Sequence, residues 1–369
     1  MLFGHGDDHY NSQKEVKINF SSNVWHGADL RTLREHLNEQ FYELTRYPEP
    51  DASSLKRLLA RCYEVEEENI VVTNGSITAF YLLAQTWKGA KSAIAVPSFV
   101  EYEDACRLHG HEVSFFPTSC DLSGLSLEGQ DFCWICNPNN PTGYLYTRRE
   151  MNQIRDMVKK YDLYLFSDEV YREFIYTGSP YISACHLEGI EENVVLIDSV
   201  SKRYSECGIR IGALITKNKE IRDAVMKFCQ ARLSPPLIGQ IAAEASLDAG
   251  EDYLRDTYDE YVERRKCLID GLNRIPGVYS PIPMGAFYTV AKLPVDDSDK
   301  FCAWCLSEFQ YEGQTVFMAP ASGFYTTPGS GRNEVRIAYV LKKEDFNPCA
   351  VCAFQSARSL SGTYGIEDI

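Results

Sequence analysis

The apolar positions of this chain change period along its length, and the changes mark out elements. Residues 94–98, 112–117, 132–138, 164–167, 193–198 and 211–216 are short apolar-rich runs, several of them bounded by Gly, Pro, Asn or Asp, which predicts strands. Between several of them, 77–87, 102–109 and 147–161 repeat apolar residues at spacings of three and four, which predicts amphipathic helices. Alternating strands and helices are the pattern of an α/β domain with a largely parallel sheet. Residues 235–273 are rich in Ala, Glu, Arg and Leu and have no strand pattern, so they read as connecting helix. Beyond them, 285–291, 315–318 and 334–340 read as strands and 300–309 and 346–354 as helices, which makes a second, smaller α+β domain. The first forty or so residues contain no strand pair of their own and are expected to lie across one or both domains. The expected organisation is therefore an N-terminal arm and part of the small domain at 1–45, a large domain at 46–250 and a small domain at 251–369.

Composition narrows the class. With 369 residues, 44% hydrophobic and 24% charged, including 23 Tyr and 18 Phe, the chain is globular and can bury a sizeable core. Its 37 basic and 52 acidic residues give a net charge of −15, which argues against non-specific binding to nucleic acid or to an anionic membrane. An anionic ligand then has to be held locally, by a few cations and backbone N–H groups. No apolar run approaches the ~20 residues that span a bilayer, and the first eight residues do not read as a secretion signal. A cytoplasmic location is expected. Thirteen cysteines, an odd and scattered count, suit reduced thiols. Three pairs have C-x-x-C spacing, and two such pairs could clamp zinc. Cys133 and Cys136, however, lie on a predicted strand and point to opposite faces, whereas Cys302/Cys305 and Cys349/Cys352 lie on predicted helices and share a face. Core packing is expected for all three pairs, and no metal site.

The chemistry is concentrated in Asp198-Ser199-Val200-Ser201-Lys202-Arg203-Tyr204-Ser205-Glu206-Cys207-Gly208-Ile209-Arg210-Ile211-Gly212, where a lysine follows a strand and two serines and a Gly-x-Arg-x-Gly hook comes after it. Three other blocks accompany it: Asn137-Pro138-Asn139-Asn140-Pro141-Thr142-Gly143, Ser167-Asp168-Glu169-Val170-Tyr171 and Val335-Arg336-Ile337-Ala338-Tyr339. Each stands at or just after a predicted strand end, where open α/β sheets bind ligands. Together they resemble the class I/II aminotransferases, fold-type-I enzymes that use pyridoxal phosphate, and the resemblance runs from about Ile18 to the last strand.

That resemblance implies a mostly parallel seven-stranded sheet between helices in the large domain, and a role for each matching residue. Lys202 is the lysine that condenses with the cofactor aldehyde and later carries a proton, which requires an amine kept partly neutral. Asp168 faces the pyridine nitrogen and keeps it protonated. Asn140 and Tyr171 serve the phenolic oxygen of the ring, and Phe99 stacks on its face. The phosphate falls to the Gly75 strand break, the N–H groups of Ser76 and Ile77 at a helix start, Ser199 and Arg210. Arg336, with Asn140 beside it, takes the substrate carboxylate, because a planar fork fixes orientation. Tyr47 reaches the phosphate of a neighbouring subunit, which implies a homodimer with shared active sites. Each residue also has an ordinary structural reading. Asp168 suits a helix cap, Asn140 a turn before proline, Tyr171 and Phe99 a packed core, Arg336 a surface ion pair, and Tyr47 a packed tyrosine ahead of a proline turn.

The two ends of the chain point to different relatives. Ile18-Asn19-Phe20-Ser21-Ser22-Asn23 with Tyr47-Pro48-Glu49-Pro50-Asp51 is similar to histidinol-phosphate aminotransferases and threonine-phosphate decarboxylases, and His5-Gly6 to the latter. Met284-Gly285-Ala286-Phe287-Tyr288 and residues 316–325 resemble aspartate and aromatic aminotransferases. Phosphate-substrate relatives carry an extra arginine shortly upstream of the carboxylate-binding one. Residues 315–320 contain no cation, and Arg332 stands in a Gly-rich turn. Some aspartate aminotransferases use a lysine where this chain has Ile77. The expected activity is transfer of the amino group of an L-amino acid to a 2-oxo acid, 2-oxoglutarate foremost, of aspartate/aromatic type. Histidinol-phosphate aminotransferase or threonine-phosphate decarboxylase is the alternative within the fold. A non-catalytic regulator on the same fold is the alternative outside it; the chain carries no basic DNA-binding extension and keeps Arg336.

Overall fold

A computed structural model describes residues 18–19, 31–118, 121–247, 251–310, 313 and 315–343. The strands are β1 (Ile18–Asn19), β2 (Ile70–Thr73), β3 (Lys91–Val96), β4 (Glu112–Pro117), β5 (Phe132–Cys136), β6 (Tyr164–Asp168), β7 (Val194–Ser199), β8 (Gly212–Ile215), β9 (Tyr288–Lys292), β10 (Val316–Phe317), β11 (Ala319–Pro320) and β12 (Glu334–Ala338). The helices are α1 (Arg31–Gln40), α2 (Ser53–Tyr63), α3 (Ser76–Thr86), α4 (Glu101–Leu108), α5 (Arg148–Tyr161), α6 (Val200–Arg203), α7 (Lys219–Ala231), α8 (Leu237–Leu247), α9 (Glu251–Leu272) and α10 (Ser298–Ser307).

Seven strands form one sheet in the order β2-β8-β7-β6-β5-β3-β4. Six of them run in one direction, and β8 alone in this sheet runs against them, antiparallel to both β2 and β7. β5, β6 and β7 are apolar on both faces because helices cover both. Phe132, Trp134 and Cys136 pack with Phe80 and Leu83 of α3 and Tyr102 of α4, while Cys133 and Ile135 pack with Met151, Ile154 and Val158 of α5. Cys133 and Cys136 thus fall on opposite faces, and Cys302 and Cys305 share the core around α10. Among the described residues no group of three or more His, Cys, Asp or Glu could hold a metal, and no helix is long and apolar enough to cross a membrane.

β11, β12 and β9 form a second, antiparallel sheet, and β1 pairs in parallel with β10. Some element ends differ from the sequence pattern for local reasons. The run at 132–138 stops as a strand at Cys136: the Asn137 N–H makes the last ladder bond, to Asp168 O at 2.9 Å, Pro138 has no N–H to continue it, and the Asn137 side chain accepts from Tyr146 N at 3.1 Å. The strand expected from 285 begins at 288, since Met284 and Gly285 donate to Gly143 O and Ala286 donates to Phe174 O, all at 2.9 Å. Residues 235–273 form two helices, α8 and α9. The expected helix at 346–354, Cys349/Cys352, His5-Gly6 and Phe20-Ser21-Ser22-Asn23 lie outside the described residues.

These backbone bonds also join the two sheets. A Cβ on Gly285 would lie 2.7 Å from the Pro138 side chain, so only glycine lets this segment approach the loop after β5. The result places β12 beside the C-terminal edge of the large sheet.

Candidate active site

The C-terminal ends of β2, β3, β5, β6 and β7 share one edge of the sheet, and β8, being antiparallel, begins there. Gly75, Phe99, Asn140, Asp168, Ser199, Lys202 and Arg210 all follow from that geometry, each at or just past a strand end. Arg336 arrives from the small sheet on β12, opposite Val290 of β9 and Ala319 of β11.

At β2 the chain turns at Gly75 (φ +77°) into α3, and Gly75, the N-cap, has no side chain to cap that helix. The guanidinium of Arg210 lies against this turn: a Cβ on Gly75 would stand 2.3 Å from Arg210 Nη2. Gly212 approaches from the other side, where a Cβ would meet Gly75 C at 2.6 Å. The Gly-x-Arg-x-Gly hook and the Gly75 turn are therefore two halves of one cup with uncapped N–H groups, a positive helix end and an arginine, and it could hold a phosphate. Ile77, 37% exposed, stands in its rim. Ser199 is buried nearby, and its Oγ lies 2.8 Å from both Ile211 O and Ser201 Oγ. In this arrangement the hydroxyl braces the hook.

Lys202 sits in the single turn α6 and is half-buried. Burial pushes its amine down to about 8; the Cys207 thiol opposes this, the Arg336 and Arg210 guanidinium groups add to it, and Asp168 opposes it. Asp168, at the end of β6, is 5% exposed and makes no ion pair among the described residues. It accepts from Tyr102 Oη at 2.5 Å and from Val170 N at 3.3 Å. Burial pushes its carboxyl up to about 7 despite these neutral donors. A buried carboxylate so placed lacks a positive partner and could receive a protonated ring nitrogen. Phe99 meets Tyr102 edge-on at 5.8 Å and is partly buried.

Arg336 is buried, which excludes the surface ion pair. Its guanidinium lies between the rings of Tyr288 (4.8 Å) and Phe324 (5.1 Å), and its Nη1 donates to Asn140 Oδ1 at 3.0 Å. The Nε–H has no partner among the described residues. An unpaired, fully buried N–H on a fixed planar fork is a ready carboxylate site. Tyr171 is buried, and its hydroxyl meets that of Tyr288 at 2.9 Å. The two tyrosines, Asn140 and Arg336 thus form one connected wall. Tyr47 stands apart: it is 86% exposed, so it is not the packed tyrosine of the ordinary reading and does not enter its own chain's site. Arg332 is also outside, exposed and 3.6 Å from Asp297.

Three neighbours were not assigned from sequence. Tyr102 follows Phe99 by three residues, so the helical period of α4 held its signal. Tyr288 and Phe324 lie inside the motifs at 284–288 and 316–325 but carry no assigned role there, and no periodicity marks the turn that brings Phe324 to the site.

A match to the family described as "Aminotransferase class I and II" covers residues 15–347. The chain is 27% identical over 296 residues to an aspartate aminotransferase of Pyrococcus horikoshii, covering 76% of this chain and 73% of that one. The solved structure of L-threonine-O-3-phosphate decarboxylase from Porphyromonas gingivalis is 30% identical, covers 93% of this chain and 99% of its own, and superposes with a TM-score of 0.77. An aromatic aminotransferase from Pyrococcus horikoshii OT3 shares the fold at a TM-score of 0.82 and 24% identity, over 97% of this chain and 99% of that one. The chain belongs to the class I and II aminotransferases, transaminases of fold type I that depend on pyridoxal phosphate.

Proposed function

We propose that the protein moves the amino group of an L-amino acid of aspartate/aromatic type to a 2-oxo acid, 2-oxoglutarate foremost, by a ping-pong mechanism. The observation that carries this reading is the Arg336 fork, buried between Tyr288 and Phe324 with its Nε–H unpaired. Its support from relatives is the aspartate and aromatic aminotransferases named above.

The cofactor site is read as follows. The N–H groups of Ser76 and Ile77, together with Arg210, hold the phosphate, with Ser199 bracing the hook or turning to donate. Asp168 pairs with the ring nitrogen and gains the positive partner it lacks. Tyr102 and Val170 hold that carboxylate in place. Asn140 and Tyr171 donate toward the phenolic oxygen, and Phe99 covers one face of the ring. When bound, pyridoxal phosphate supplies a conjugated ring that accepts the electrons left on the substrate α-carbon. Arg336 orients the substrate by its carboxylate, so that the α-hydrogen faces Lys202. Lys202 Nζ would then serve as the base that takes the α-proton of the substrate and as the acid that gives it back. An amine at about 8 is roughly one quarter neutral at pH 7.5, against about 0.1% for an ordinary lysine.

The exposed Tyr47 belongs, in this reading, to the active site of a second copy, in a cytoplasmic homodimer. Residues 46–250 carry the cofactor, and 251–369, with the arm at 1–45, carry the carboxylate fork.

A second reading, decarboxylation of a phosphorylated amino acid, draws on the 30% identity to the threonine-phosphate decarboxylase. It lacks a phosphate-binding cation next to Arg336: 315–320 holds none, and Arg332 is engaged by Asp297. Mixing the cofactor-loaded protein with a panel of L-amino acids, histidinol phosphate and threonine phosphate separates the readings. Release of a 2-oxo acid from aspartate or an aromatic amino acid is expected. Carbon dioxide from threonine phosphate, with no 2-oxo acid from the panel, would replace the first reading by the second.

A further inference from the structure

Next to Lys202 lies a group of buried charges that the reaction scheme leaves unused. Arg203 is 3% exposed. Its Nη2 stands 3.0 Å from Glu173 Oε1 and 3.1 Å from Asp198 Oδ2, its Nη1 donates to Cys62 Sγ, and its guanidinium covers the ring of Tyr63 at 5.3 Å. Asp198 in turn accepts the N–H of Ser199 at 2.6 Å. One guanidinium therefore joins the end of β7, helix α2 and the loop after β6 that carries Tyr171 and Glu173.

The turn that bears Lys202 needs such an anchor. α6 has four residues, far short of the ~12–15 at which a helix holds itself together in water. Ser199 caps its start by accepting from the N–H of its second residue, Ser201, at 3.1 Å. Its last residue is Arg203. Successive helical residues point about 100° apart, so Lys202 faces the half-open cleft while Arg203 faces the interior. A rotation of the turn that loosened Arg203 would swing the lysine by the same angle, multiplied by its four-carbon stem. Stability alone is a weak reason for this arrangement, because buried ion pairs can often be replaced by apolar groups at no cost.

We infer that Arg203 is a positioning residue, which aims the Lys202 amine by tying its turn to Asp198, Glu173 and α2. The inference rests on the reading of Lys202 as the cofactor lysine. Covalent capture forms a C=N bond between the lysine nitrogen and the aldehyde carbon, and the aldehyde oxygen leaves as water. Pyridoxamine phosphate has no aldehyde, so its affinity reports the phosphate and ring contacts without this step.

The test compares the two ligands on the full-length, cofactor-free protein carrying Arg203→Lys or Glu173→Gln. A lysine keeps the charge but cannot bridge three partners, and Glu173 is partly exposed, so its amide variant folds. The expected result is capture of pyridoxal phosphate slowed 10- to 100-fold in Arg203→Lys and at least threefold in Glu173→Gln, with pyridoxamine phosphate affinity within threefold of wild type. If Arg203→Lys does not fold, Glu173→Gln decides. Capture within twofold of wild type in the folded variants, or an equal loss for both ligands, overturns the inference. Lys202→Ala is the control: residual covalent capture there would instead remove the assignment of Lys202.

Discussion

Replacing Gly75 by alanine perturbs the phosphate cup in a way the structure makes calculable. The new methyl would stand 2.3 Å from Arg210 Nη2 and 3.0 Å from its Cζ. Both atoms are at the far end of a flexible side chain, so the arginine moves aside and the fold survives. The backbone contributes separately: φ +77° with ψ 165° is a region that residues with a Cβ enter at ~1–3 kcal/mol. Displacing Arg210 removes a charged hydrogen bond to phosphate, worth ~1.5–3 kcal/mol, or roughly 10- to 150-fold in affinity. Titrating cofactor-free protein with pyridoxal phosphate, and in parallel with pyridoxal, measures the two parts apart. Pyridoxal has no phosphate, so its affinity should stay within threefold of wild type while that of the phosphate ester falls by the stated factor. In an Arg210→Ala background the alanine should cost little further phosphate affinity, because there is nothing left to displace. Equal losses for the two ligands, or no loss for the ester, would refute the cup as described.

Two further outcomes follow from the charge states. Asp168 has its carboxyl raised to about 7 in the folded, cofactor-free protein, against about 3.9 when unfolded, so between these values the native state holds the extra proton and stability falls as pH rises. Asp168→Asn should flatten that decline by about one proton, ~1.4 kcal/mol per pH unit, as read by urea unfolding from pH 4.5 to 7.5. Glu206, also raised to about 7 by burial, leaves a residual slope of the same sign, and an unchanged slope in the variant would refute the assignment. For Lys202, whose amine is pushed down to about 8, the rate of pyridoxal phosphate capture should rise about tenfold per pH unit below 8 and level off above it. A rise continuing past pH 9 would mark an ordinary lysine.

Much of this was legible in the sequence, for reasons that differ from place to place. Strands buried on both faces, such as Phe132–Cys136, announce themselves as continuous apolar runs, and residues at their C-terminal ends inherit a common edge once the sheet is parallel. The blocks that carry Lys202, Asp168, Asn140 and Arg210 therefore read as lying along one edge of the sheet, and the resemblance to a family supplies their expected roles. The partners that set their chemistry were harder to see. Tyr102 reaches Asp168 across 66 residues once α4 packs on the large sheet, and Arg336 meets Asn140 across 196 only after the two sheets dock at Gly285. Arg203 reads as one more charge beside a lysine until Glu173, Asp198 and Cys62 converge on it. The ordinary readings of Arg336 and Tyr47 fail for opposite reasons: the arginine is buried where a surface residue was the alternative, and the tyrosine is exposed where a packed one was.

The central claim is that Lys202 forms the covalent bond to the cofactor. Reduction of the pyridoxal-phosphate-loaded protein with borohydride fixes that bond, and peptide mass spectrometry then locates it. One pyridoxyl group per chain is expected on Lys202, with none retained and transamination abolished in Lys202→Ala. A label on another lysine, or activity that persists in the variant, would contradict it.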